Sequence, residues 1–321
     1  MKKVLLIGEA MGLFKAEEYG DLKNVKAFTK SLAGAEFNVG IGLSRLNHTV
    51  EMITKLGKDP VGEYIYDQLK NENIGSRYVI FDSDTPTGIM LKNKVKNGDP
   101  DTAYYRKCTA FGTLTIEDIE AIDFSTIDLL HITGIPLAIN TTVREVVFYL
   151  VDKAKQSNVK ISFDPNLRPA LWKSKEEMIE ILNKMAGHAD VVLPGISEGA
   201  LLTGSSDPEE IAKFYLDRGA QCIIIKTGST GAFVAEKNKQ AIQVPGFAVE
   251  KIVDTVGAGD GFAVGVISAY LEGASWQDAA IRANAIGSIQ IQHAGDNENL
   301  PTQKELTAYI KQYNQDQIES N

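Results

Sequence analysis

Only two cysteines occur in the 321 residues, Cys108 and Cys222, too few and too far apart for a disulfide framework or a metal site. A reducing cytoplasm is therefore the expected setting. Basic residues number 33 against 42 acidic ones, leaving a net charge of −9 with no long lysine or arginine run. Such a chain offers no track for a phosphate backbone or an anionic bilayer, so neither nucleic acid nor membrane is an expected partner. No apolar stretch approaches the length of a membrane span. The first apolar run, Val4–Ile7, stops at Gly8-Glu9; it is too short for a secretory leader and reads as a buried strand. Internal repeats, low-complexity segments and long linkers are absent. Two of the histidines, His131 and His293, lie on or beside apolar elements with no ligand partner at metal spacing, so neither is read as catalytic. What is present is 44% hydrophobic residues, enough for a packed core in one large α/β domain or two smaller ones.

The periodicity predicts strands at Val4–Ile7, Val50–Leu56 and Arg77–Phe81, with helices over Gly62–Glu72 and from about Gly34. From about Asp128 strands and helices alternate: Leu129–Ile132, Val143–Lys155, Val159–Phe163, Glu176–His188, Val191–Leu193, Pro208–Arg218, Ile223–Lys226. Strand runs too continuously apolar to have a wet face, separated by amphipathic helices, predict a mostly parallel sheet covered on both sides. In such folds ligands gather at the carboxyl ends of the strands. Polar clusters occur there: Gly134, Asp164-Pro165-Asn166-Leu167-Arg168, Pro194-Gly195-Ile196-Ser197-Glu198 and Thr227-Gly228-Ser229. Two excursions leave this pattern. Thr87–Lys92 and Thr102–Lys107 read as strands joined by the turn formers of Lys96–Asp101, with Tyr104 and Arg106 on one face. The earlier excursion spans roughly 12–33.

The most informative stretch is Asp254-Thr255-Val256-Gly257-Ala258-Gly259-Asp260-Gly261-Phe262, three small residues running into a carboxylate and then an apolar helical pattern. Gly257, Ala258 and Gly259 let backbone N–H groups approach an anion, where the positive end of the helix dipole adds attraction. Asp260 in the first turn either complements the helix N-terminus or acts as a general base beside a phosphate cradle. Base and cradle together suit phosphoryl transfer from a nucleotide to a hydroxyl.

This nonapeptide closely resembles the Asp-Thr-x-Gly-Ala-Gly-Asp-x-Phe signature of the ribokinase-like (PfkB) carbohydrate kinases, and the resemblance covers essentially the whole chain. It implies a three-layer α/β sandwich with a β-sheet lid, the core being 1–11, 34–85 and 110–321 and the lid 12–33 and 86–109. An anion hole at Gly257, Ala258 and Gly259 and a catalytic base at Asp260 are implied. Gly34 and Asn38 would hold the sugar, although Ala33 replaces the commoner first glycine of that signature. Within the family, Tyr104–Lys107, the Asp164–Arg168 segment with Trp172, and Gly295-Asp296 look most like 2-keto-3-deoxygluconate kinases. Met90 stands where those enzymes can carry a tyrosine. Tyr104, Arg106, Arg168 and Asp296 complete the implied sugar site, and two guanidiniums suit a carboxylate better than a neutral sugar.

For ATP the resemblance implies Asn166, Thr227, Gly228, Ser229, Gly231 and Asn284, together with the Gly257–Gly259 turn. The Thr227–Gly231 turn lacks Walker A spacing, and a plain hairpin would look similar. Glu198 would organise Mg²⁺ through water, although Gly195 occupies the family's asparagine position; a helix-capping glutamate is the alternative. A monovalent cation such as K⁺ and a dimer formed through the lid are further implications. A fructokinase or another neutral-sugar kinase, and a silent sugar-binding protein of the same fold, remain the alternatives at this stage. A nicotinamide oxidoreductase is disfavoured, because Gly8-Glu9-Ala10-Met11-Gly12 lacks the dinucleotide glycine pattern.

Overall fold

The structure is a computed structural model that describes residues 2–96, 100–293 and 295–319. In chain order its elements begin with β1 (Lys3–Ile7), β2 (Met11–Tyr19), β3 (Phe28–Ala33), α1 (Ala35–Arg45), β4 (Thr49–Gly57) and α2 (Pro60–Asn71). Next come β5 (Gly75–Asp82), β6 (Ile89–Lys94), β7 (Thr102–Tyr105), β8 (Leu129–Thr133), α3 (Gly134–Ile139), α4 (Thr141–Gln156) and β9 (Lys160–Asp164). They are followed by α5 (Lys175–Ala186), β10 (Val191–Val192), α6 (Ile196–Thr203), α7 (Pro208–Leu216), β11 (Cys222–Lys226), β12 (Ala232–Glu236) and β13 (Ile242–Val244). Helices α8 (Ala258–Leu271), α9 (Trp276–Ile291) and α10 (Gln303–Glu319) complete the described chain.

Nine strands form the main sheet in the order β13-β12-β11-β10-β9-β8-β1-β4-β5. From β11 to β5 every neighbouring pair is parallel, and only β12 and β13 run antiparallel at one edge. The continuous apolar runs are explained by burial on both faces. Leu5 and Ile7 of β1 enter one core with residues of α3 to α7, while Val4 and Leu6 enter the other with residues of α1, α2, α8, α9 and α10. A strand's period of two thus feeds both layers, so most strand positions are apolar and the few buried polar ones, among them Thr54, His131, Thr133 and Ser162, are exceptions.

A separate four-stranded sheet, ordered β3-β2-β6-β7, gathers the two excursions. It is mixed: β2 pairs with β6 in parallel and the outer pairs are antiparallel. Strand β7 ends at Tyr105, two residues short of the sequence expectation, because Cys108 turns the chain with φ of 56°. Of the expected Lys96–Asp101 turn, residues 97–99 lie outside the described residues. Among the described residues no helix is long and apolar enough to cross a membrane.

Candidate active site

The parallel strands deliver their carboxyl ends to one cavity of about 510 Å³, which the small sheet overhangs. At its floor Gly257 takes the left-handed backbone (φ 76°) that ends the preceding loop and starts α8, placing Asp260 in the helix's first turn. The first-turn amides have no carbonyl four residues back within the helix, so they are available to an anion. A Cβ on Gly259 would meet only Lys226 Nζ, at 3.8 Å; the space over the turn is open and carries a cation at its side. An ATP phosphate fits such a cradle.

Asp260 is held from two sides. Asn38 Nδ2, from the first turn of α1, donates to its Oδ2 at 2.7 Å, and Asn166 Nδ2 donates to Oδ1 at 3.4 Å. Burial raises its pKa from 3.8 to about 7, against the lowering effect of the Asn38 hydrogen bond; Asp164 and Glu36 push it further up, and Arg168 opposes them. That value suits a group that must take a proton near neutrality. Glu36 is a second such carboxyl, 1% exposed and raised to about 7 chiefly by burial, with the Thr133 hydroxyl donating to it. Two carboxyls near 7 that repel one another titrate as a pair.

Of the residues expected for a sugar, Gly34, Asn38, Met90, Tyr104, Arg106, Arg168 and Asp296 all line this cavity. Arg106 is not free, however. Glu9, 3% exposed, accepts from its Nε at 2.8 Å and pairs with its Nη2, while also accepting from the Thr109 hydroxyl at 2.8 Å. Among the described residues Arg168 does not pair with Asp164; its Nη1 donates to the Leu167 carbonyl at 2.8 Å. Asp164 is taken instead by Lys226 at 2.8 Å; burial pushes the carboxyl's pKa up and the lysine opposes that shift. Asp296 pairs with Lys92 of the small sheet at 3.2 Å, and Lys92 also reaches Asp254 at 3.5 Å.

Sequence reasoning passed over Lys226, Glu36, Glu9 and Lys92, all of which line the cavity. Lys226 and Lys92 each close an apolar strand run, and a charge in such a run is the signal that could have marked them; Glu36 and Glu9 carry no such mark.

The residues expected around the nucleotide fall into two groups. Asn166, Gly257 and Gly259 line the cavity. Ala258, Thr227, Gly228, Ser229, Gly231 and Asn284 do not. The Thr227–Gly231 turn begins one residue beyond Lys226 and links β11 to β12 as a hairpin. Gly231, at φ 100°, must be glycine, since a Cβ would lie 2.2 Å from the Val244 carbonyl. Asn284 donates to the carbonyls of Val244 (3.3 Å) and Pro245 (3.0 Å), so the turn, the β13 end and α9 make one patch beside the cavity.

Glu198 caps α6. Its Oε2 accepts from the Gly195 amide at 2.6 Å and its Oε1 from the Leu167 amide at 2.8 Å. Among the described residues no three acidic, histidine or cysteine side chains cluster as metal ligands. A Mg²⁺ ligated mainly by protein does not fit these residues. One carried by phosphates and touching Glu198 through water does, since each oxygen keeps a second lone pair. His131 is buried and neutral: its Nδ1 lies 3.2 Å from Ser162 Oγ, and burial lowers its pKa to about 3.

Comparison with known proteins points one way. The profile of the pfkB family carbohydrate kinases matches residues 1–303. The 2-dehydro-3-deoxygluconokinase of Bacillus subtilis (strain 168) is 44% identical over 304 residues, 94% of either chain. A solved PfkB protein from Polaromonas sp. JS666 is 39% identical and superposes with a TM-score of 0.89 over 96% of this chain and all of the other. A fructokinase double mutant from Vibrio cholerae O395, solved with fructose, ADP and potassium ion, is 28% identical, with a TM-score of 0.85 over 96% of this chain and 98% of its own.

Proposed function

Because this chain belongs to the pfkB family of carbohydrate kinases, we propose that it transfers the γ-phosphoryl group of ATP to the terminal hydroxyl of 2-keto-3-deoxygluconate, giving the 6-phosphate. This sugar acid is the 2-dehydro-3-deoxygluconate of the B. subtilis relative's name. The observation that carries the reading is that Asp260, Gly257 and Gly259 share one cavity with Arg168 and Arg106. The chemistry of phosphoryl transfer needs the first three, and an acidic substrate needs the cations.

In this reading Asp260 accepts the proton of the attacking hydroxyl, and the amides of the small-residue turn take up negative charge developing on the phosphoryl oxygens. Lys226 lends positive charge at the side of the cradle. Arg168, which forms no ion pair with a carboxylate among the described residues, takes the sugar's carboxylate; Arg106, half neutralised by Glu9, contributes its remaining edge. Gly34, Asn38, Tyr104, Met90 and Asp296 shape the rest of the sugar's bed. Asn166, the Thr227–Gly231 turn and Asn284 form the nucleotide's side. Glu198 would hold Mg²⁺ through water, and the ion would supply positive charge to the phosphates when bound. The lid strands' outer edges, β3 and β7, are the surface through which two copies would pair.

The test is an ADP-release assay with ATP and Mg²⁺, run with and without K⁺. It compares 2-keto-3-deoxygluconate with fructose, ribose and gluconate at equal concentration. The keto-deoxy acid should be preferred at least tenfold in kcat/KM, and Arg168→Gln should erase most of that preference. Faster turnover of fructose would overturn the substrate assignment while leaving the kinase chemistry intact.

The paired carboxyls add a pH prediction. Glu36 raises the pKa of Asp260 by repulsion, so Glu36→Gln should move the acid limb of kcat/KM, expected near 7, to lower pH. Glutamine keeps an acceptor for the Thr133 hydroxyl, which guards the fold. An acid limb that moves upward or stays in place would refute the coupling.

A further inference from the structure

Asn38 can stabilise an ionised Asp260 only if its carboxamide presents nitrogen, not oxygen, to the base. The two orientations are nearly isosteric, so shape alone does not choose between them. The choice is made elsewhere. Asn297, 7% exposed, sends its Nδ2 to Asn38 Oδ1 at 2.8 Å and towards the Leu32 carbonyl at 3.4 Å. A backbone carbonyl can only accept, so Leu32 fixes the nitrogen end of Asn297 at this junction. That nitrogen fixes the oxygen end of Asn38, leaving Asn38 Nδ2 for Asp260 at 2.7 Å. The segment carrying Asn297 is itself clamped: Arg45 Nη1 donates to the carbonyls of Asn297 (3.1 Å), Glu298 (3.2 Å) and Leu300 (2.9 Å), while Glu72 holds its other edge at 2.7 Å.

We propose that Asn297 is a positioning residue for the phosphoryl-transfer reaction, acting through Asn38 to keep a hydrogen-bond donor aimed at Asp260. The inference rests on the proposed role of Asp260 as base. Without Asn297, Asn38 is free to turn its carbonyl towards the carboxyl, an arrangement that favours the protonated acid and withdraws the base at neutral pH. The other groups bearing on Asp260 are Glu36 from α1, Asp164, Asn166 and Arg168 from the end of β9, and Lys226 from β11. All of them stay in place when Asn297 is changed, so a shift can be assigned to the carboxamide.

The experiment records the pH dependence of kcat/KM for wild type, Asn297→Ala, Asn38→Ala and the double variant, beside a ¹³C titration of the Asp260 carboxyl that needs no turnover. Asn297→Ala should raise both the acid limb and the carboxyl midpoint by about 0.5 to 1 pH unit. In the Asn38→Ala background the same substitution should add no further displacement. A uniform loss of rate with an unmoved midpoint, or an equal shift with Asn38 already gone, would overturn the proposal. Asp260→Asn, assayed alongside, separates the two layers. Full activity in that variant removes the base assignment itself, whereas an inactive Asp260→Asn with an unmoved Asn297→Ala profile removes only the role of Asn297.

Discussion

Asp260→Asn should lower kcat by roughly 10³-fold while changing the sugar's KM only a few fold. The amide is isosteric and still receives Asn166 or Asn38 after a carboxamide turn, but it cannot accept the substrate's proton. Steady-state kinetics at pH 8, where the wild-type carboxyl is ionised, give the cleanest comparison; a variant within tenfold of wild type would defeat the mechanism. Stability should move the other way. Because the folded pKa of Asp260 lies at about 7 and its ordinary value is 3.8, the folded state binds this proton more tightly than the unfolded chain. The group therefore costs nothing below about pH 4, progressively destabilises the fold between 4 and 7, and reaches its full effect above 7. The melting temperature of Asp260→Asn should match wild type near pH 4 and exceed it at pH 8.

The second large effect belongs to Gly257, and its neighbour Gly259 is the built-in control. Alanine at 257 faces two obstacles: φ of 76°, costly for any Cβ, and the Asp296 carbonyl 2.2 Å from where that Cβ would stand. The left-handed backbone alone costs about 1 kcal/mol. Relief of the clash requires the turn or the Asp296 segment to move, and either displaces amides aimed at the phosphoryl group. Removing such donors typically costs on the order of 10²- to 10³-fold in kcat. Gly257→Ala should therefore lose activity by at least that factor, with a visibly lower melting temperature. Gly259→Ala should fold as well as wild type or better, since glycine in a helix costs about 0.5–1 kcal/mol relative to alanine. Its methyl group would stand in the cradle beside Lys226, so the loss should appear as a raised KM for ATP. Equal effects of the two alanines, in both stability and kinetics, would show that the turn does not work as described.

The sheet was legible because its cause is local. Val4–Ile7 and Cys222–Ile225 are buried on both faces, and that leaves an uninterrupted apolar run in the sequence. Asp260 was legible for a similar reason, since small residues and a carboxylate at a helix entrance are adjacent in the chain. Glu36 was not. It sits in a first helical turn where an exposed glutamate is commonplace, and the Thr133 hydroxyl that accompanies its burial lies 97 residues away. Arg106 was read as a free cation because Glu9, which neutralises it, is likewise remote in sequence, 97 residues off. The mixed character of the small sheet was hidden too. Periodicity identifies strands, but whether β2 meets β6 in parallel is decided by the path of the intervening chain. Side chains whose meaning depends on a distant partner need the fold before they can be interpreted.

The residues that meet at Asp260 are far apart in the chain: Asn38 is 222 positions from Asp260 and 259 from Asn297. A ribosome adding about 5–20 residues per second needs roughly 10–50 s to cover that interval. Throughout that time the growing chain holds the Gly34–Asn38 half of the pocket without a base, an anion turn or a clamp for either. If Asp260 is the base, a chain that ends before α8 should be inert towards ATP, and activity should require both α8 and the Asp296–Leu300 segment. A truncation series stopping before residue 257 should yield no slow ATPase.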